Sequence, residues 1–168
     1  MNKILLSGAL VSAMALSSAA MADEMMVKEI EVQTEIEAIQ NAEAATVWHD
    51  ISADLEAAIL ARVVDRMDES GAIVMVDIDE VSLANNFELA TGLENATLRG
   101  WVKIERTYKE KEQPVEAPEE LYELTVSAQQ AQVYYPEGTD LSVLEVSSEV
   151  FYQAMLAAFA DNVVSKLQ

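Results

Sequence analysis

The chain has 168 residues, 30 of them Asp or Glu and 10 Lys or Arg, giving a formal net charge of -20, and it contains no cysteine. Disulfides and thiolate metal sites are therefore excluded, and so acidic a chain repels nucleic acid and anionic lipid, because binding either requires clustered cations. A hydrophobic share of 51% supplies material for a core and separates the chain from acidic disordered proteins, which are poor in apolar residues.

At the start, Met1 to Ala22 combines a charge at Lys3, an apolar run from Ile4 to Leu16 and the small-residue exit Ala20-Met21-Ala22, the pattern of a cleavable export signal. The apolar run is too short for the roughly 20 residues a membrane helix needs, and no later stretch approaches that length. Asp23 stands where a bacterial lipoprotein carries its anchoring cysteine, so no lipid anchor is expected. The signal is assigned to residues 1–22 and a single acidic α/β domain to 23–168, a length that supports one core. Export without disulfides suits a bacterial periplasm, with release to the exterior as the other destination.

Next, Met26, Lys28, Ile30, Val32, Thr34 and Ile36 share one parity and Glu29, Glu31, Gln33 and Glu35 the other, the period-two pattern of a half-buried strand. Asn41 to Val47 is alanine-rich and ambiguous. With Ser52 or Asp50 as N-cap, Ile51, Leu55, Ile59, Val63 and Met67 recur every four residues and predict a helix from Ser52 to Asp68. Glu69-Ser70-Gly71 closes it, with the glycine left-handed. Ala72 to Leu83, rich in β-branched residues, predicts a second strand that lies parallel to the first across the helix.

Residues 85–95 form a connection that tucks Phe87, Leu89 and Leu93 against the body. Ala96 to Tyr108 predicts a third strand, with Leu98, Val102, Ile104 and Tyr108 on one face and Arg99, Trp101, Lys103 and Glu105 on the other. Lys109 to Glu120 carries Pro114 and Pro118 among charges and reads as a flexible hairpin loop. Leu121 to Val133 predicts a fourth strand, Tyr134 to Gly138 a type I turn, and Leu141 to Val146 a short edge strand. Ser147 or Ser148 caps a last helix whose stripe is Phe151, Met155, Phe159, Val163 and Leu167. The order β-α-β-β-β-(β)-α defines an α+β two-layer sandwich, a mostly antiparallel sheet with two helices on one face.

Chemistry-bearing residues are sparse. His49 is the only histidine, so histidine-rich metal centres are excluded; its neighbour Asp50 is expected to point away from it, and no nucleophile motif accompanies them. Trp48 is expected to pack at the domain edge. Asp77, Asp79 and Glu80 offer hard oxygen ligands but read as strand residues that pair across the sheet, and Asp65, Asp68 and Glu69 as a solvated helix end. Met25-Met26 gives two thioethers without further methionines at ligand spacing. No metal, no cofactor and no enzymatic activity is expected, although paired carboxylates brought together in space would revive an acid-base enzyme.

One segment stands out. Arg99, Lys103, Arg106, Lys109 and Lys111 gather half of the chain's 10 bases between positions 99 and 111. Arg99 and Lys103 flank Trp101 on the polar face of the third strand, where a two-layer fold leaves its sheet uncovered. Two readings follow: a seat for an anionic ligand or a partner, or a ladder paired across the sheet with Asp77 and Asp79 that only holds strands together.

The succession of a strand, a helix with Trp48-x-x-Ile51-x-x-x-Leu55-x-x-x-Ile59, a strand from Ile73 to Leu83 and a final helix from Phe151 to Leu167 resembles small α/β modules of bacterial cell envelopes. Examples are the N-terminal domain of the TolB translocation protein and the core of the CsgG-type secretion lipoproteins. The resemblance implies an envelope setting and carries over no functional residue; the missing anchoring cysteine departs from the lipoproteins. Together these features point to a non-enzymatic periplasmic binding or adaptor protein whose Arg99, Trp101 and Lys103 surface contacts another envelope component. A periplasmic small-ligand or cation-binding protein is the alternative.

Overall fold

A computed structural model of the chain describes residues 24–34, 42–82, 96–110, 113–116, 119–140 and 143–167. The export signal at 1–22 and the connection at 85–95 lie outside the described residues. Strand β1 (Val27–Thr34), helix α1 (Ala42–Val47), helix α2 (Ile51–Val63), strand β2 (Ala72–Ser82), strand β3 (Thr97–Glu105), a ribbon of β4 (Thr107–Glu110) and β5 (Gln113–Glu116), strand β6 (Glu120–Ser127) and helix α3 (Glu149–Ser165) follow in order. The fold is α+β. Its four-stranded sheet runs β1-β2-β3-β6, with β1 parallel to β2 and the other two pairs antiparallel. Alternate strand residues, among them Val74, Val76, Ile78, Leu98, Val102, Ile104 and Val126, join the buried faces of α2 and α3 in one core on one side of the sheet.

Two bulges let an imperfect alternation bury its apolar residues. Lys28 falls on the apolar parity of β1, and a register shift between Val27 and Glu29 resolves the conflict: Val27 and Ile30 are both buried while Lys28 stays exposed. A second shift, between Ile78 and Glu80, lets Ile78 and Val81 both face the core although they are three apart.

Helix α2 buries Ile51, Leu55, Ile59 and Val63 as one row. It ends earlier than its spacing predicts: 64–66 tighten into a 3-10 turn, and Met67 leaves the helix to bridge Val27 and is exposed. Gly71 is not left-handed, since Gly138 is the one described glycine with positive φ. It is there for close approach, because a Cβ at Gly71 would lie 2.6 Å from the Val27 carbonyl carbon. Asp50 is the N-cap of α2 by position but makes no side-chain cap bond.

In α3, Ser148 caps as predicted, its hydroxyl accepting from the Phe151 N–H at 3.2 Å. The predicted stripe is buried, and so are Tyr152, Ala154, Leu156, Ala158 and Ala160, because the helix packs against α2, β6 and the 3-10 turn Gln130–Tyr134 together.

Five other expectations are corrected. The third strand stops at Glu105 rather than running to Tyr108. Much of the expected loop 109–120 belongs to the two-stranded ribbon, where Lys109 pairs with Pro114; a two-stranded ladder has only edges, so a proline is accommodated. The fourth strand ends at Ser127, and its expected end is the 3-10 turn Gln130–Tyr134. Residues 143–146 are irregular rather than an edge strand, with 141–142 outside the described residues. The turn beyond is closed by the Thr139 N–H donating to the Pro136 carbonyl at 3.1 Å, with φ of 84° at Gly138, the third turn residue; that is type II geometry, not type I.

Candidate functional site: the open sheet face at Trp101

The sheet side opposite the helices carries the odd residues of β3: Arg99, Trp101, Lys103 and Glu105. Strand pairing assembles them with their neighbours. Asp77 on β2 and Glu123 on β6 lie directly across from Trp101, and Leu121 lies across from Lys103. Trp101 is 42% exposed and Leu121 62%, so a large indole and a leucine meet solvent as diagonal neighbours.

The cations beside Trp101 are engaged. Arg99 Nε lies 3.5 Å from Asp79 Oδ1 and 3.8 Å from Glu123 Oε1. Lys103 Nζ lies 2.5 Å from Glu105 Oε1 and 3.2 Å from Glu119 Oε1, and hydrogen bonds to those two carboxylates raise the lysine's pKa. Arg106 donates to Glu120 at 2.6 Å. Asp79 thus takes the cross-strand role expected of it. Asp77 does not: it is exposed beside the indole and joins no ion pair among the described residues. Arg99 and Lys103 each lie near two carboxylates and Arg106 near one, so acidic groups surround the indole.

The other singled-out residues fall elsewhere. His49 Nδ1 lies 2.6 Å from Asp50 Oδ1, both in the turn between α1 and α2 and both largely exposed, so the neighbours face one another rather than pointing apart. Trp48 is a core residue, not an edge one: it is 1% exposed, packs edge-on to Tyr152 with centroids 5.1 Å apart, and donates from Nε1 to the Val146 carbonyl at 3.2 Å. Met25 packs against the core and Met26 is exposed. Among the described residues no group of three or more His, Asp or Glu is placed to hold a metal ion.

Two carboxylates on the helices were not anticipated. Asp54 on α2 accepts from the Tyr152 hydroxyl, and Asp161 on α3 accepts from Tyr134 and from Arg62, whose guanidinium also donates to the carbonyls of Ala58 and Ala157. Burial, reinforced by the Asp161 hydrogen bond, pushes the Tyr134 hydroxyl up to about 12. Burial alone would raise Asp161, but Arg62 and Tyr134 outweigh it and hold the carboxyl below its ordinary range. Each carboxylate is bonded to a tyrosine, Asp54 tying α2 to α3 and Asp161 tying α3 to the 3-10 turn.

The chain matches no protein-family model and no curated protein. Fold and site together define a small α+β domain, helices on one side of its sheet and an indole exposed on the other. No helix among the described residues is long and apolar enough to cross a membrane.

Proposed function

We propose that the chain is an exported, non-enzymatic binding or adaptor protein of the bacterial cell envelope, acting in the periplasm through the sheet face around Trp101. The observation that carries this reading is the exposure of Trp101 and Leu121 as diagonal neighbours on the side of the sheet away from the core. A tryptophan contributes most when desolvated against a partner, and leaving one in water gives a monomer little in return. The leader at 1–22 supplies the compartment.

The test places a photo-crosslinking side chain at position 101 or 121, and as control at exposed Ala57 on α2, in cells that export the protein. The reading expects one discrete envelope protein captured from 101 and 121 but not from 57, and at least tenfold weaker binding of that purified protein by Trp101→Ala. Equal capture from all three positions, or none, contradicts it. N-terminal sequencing of the exported protein should begin at Asp23; retention of Met1 contradicts the compartment.

A further inference from the structure

We infer that the Trp101 face takes an extended, lysine- or arginine-bearing segment of a partner protein, apolar side chains resting on Trp101 and Leu121 and cations meeting Asp77 and Glu123. This rests on the proposed function and names the chemistry of the partner. In the row Asp77-Trp101-Glu123, an exposed indole on the middle strand has a carboxylate directly across from it on each side. Asp77 joins no ion pair among the described residues, and Glu123 shares Arg99 only at 3.8 Å. An ammonium or guanidinium arriving there gains a carboxylate and the ring face together.

Charge complementarity excludes the other occupants. Arg99 and Lys103 are already held by Asp79, Glu105 and Glu119, so an acidic partner would find no uncommitted cation beside Trp101 and would be repelled by a chain of net charge -20. A second copy docking face to face would oppose Asp77 and Glu123 to their own counterparts. A free small cation would bind on an open face with nothing to exclude water, whereas a segment adds apolar burial on Trp101 and Leu121 to its charge contacts.

The probe is an eight-residue amide of alternating Lys and Leu, titrated into the mature protein while the Trp101 indole N–H resonance is followed by NMR. Matched peptides are alternating Glu and Leu, and Lys alone. Expected are saturable shifts at Trp101 and its strand neighbours with the Lys-Leu peptide, at least tenfold weaker binding of both controls, and at least tenfold weaker Lys-Leu binding by Asp77→Asn/Glu123→Gln. Glu56→Gln/Glu137→Gln removes two exposed carboxylates elsewhere and should change affinity less than twofold. Absence of saturable shifts at Trp101, equal binding of the three peptides, or equal weakening by the two double variants overturns the inference. If the partner captured through position 101 binds Asp77→Asn/Glu123→Gln as well as the native chain, the cation assignment fails while the proposed function stands; if nothing is captured, the proposed function itself fails.

Discussion

The Tyr152 hydroxyl donates to Asp54 Oδ2 at 2.6 Å, joining residues 98 apart in sequence and tying the first turn of α3 to the first turn of α2. Burial, and then this bond, raises the tyrosine's pKa and keeps it a donor. Tyr152→Phe keeps the ring packed on Trp48 and removes only the hydroxyl, so it should cost about 1–2 kcal/mol, read from the urea midpoint at unchanged m-value.

Acid sensitivity should trace partly to Asp161. A carboxyl whose folded-state pKa is depressed contributes stability above its unfolded value of about 3.9, and that contribution is lost as pH falls through the folded value. Asp161→Asn should therefore flatten the decline of stability below about pH 4 relative to the native chain. Tyr134 works at the other end: raised to about 12, it stabilises below an unfolded value of about 10 and loses that contribution as pH rises from there. Tyr134→Phe should be less alkali-sensitive across that window, measured by circular dichroism against pH.

Glycines should separate by mechanism. A Cβ at Gly71 meets the Val27 backbone at 2.6 Å, and one at Gly100 meets the Asp77 carbonyl oxygen at 2.5 Å, so neither strand pair can close around alanine without shifting. Each substitution should cost about 1–3 kcal/mol or more. Gly138→Ala has open space but a φ of 84°, and should cost only about 1 kcal/mol.

The two tryptophans should behave oppositely. Trp48→Ala empties a site bounded by Phe151 and Tyr152 and should cost about 3–5 kcal/mol. Trp48→Phe keeps some packing but leaves the Val146 carbonyl without its indole donor, costing about 1–3 kcal/mol.

Much of the architecture was legible because it is local. Ile51, Leu55, Ile59 and Val63, the Ser148 cap and the α3 stripe are periodic signals that tertiary packing reinforces. The parity of β3 likewise put Arg99, Trp101 and Lys103 on the face away from the core. What escaped depends on partners distant in sequence. Trp48 is buried by α3, about which residues near position 48 carry no information, and the Asp54-Tyr152 and Asp161-Tyr134 bonds exist only once the helices and the 3-10 turn have docked. The β4-β5 ribbon was hidden by Pro114 and by charge density, features that disfavour a central strand but not a two-stranded one. At the candidate site, alternation places Asp77 across from Trp101 and would place Asp79 across from Arg99, but the bulge between Ile78 and Glu80 makes Glu80 the backbone partner of Arg99, and alternation alone does not reveal a bulge.

Whether Trp101 serves binding or only holds strands together is decided by one comparison on Trp101→Ala: its unfolding free energy in urea, and its affinity for the envelope protein captured through position 101. A binding face predicts stability within about 1 kcal/mol of the native chain, as for other exposed sites, with affinity reduced tenfold or more. Loss of several kcal/mol with affinity unchanged would make Trp101 a strand-holding residue and contradict the account.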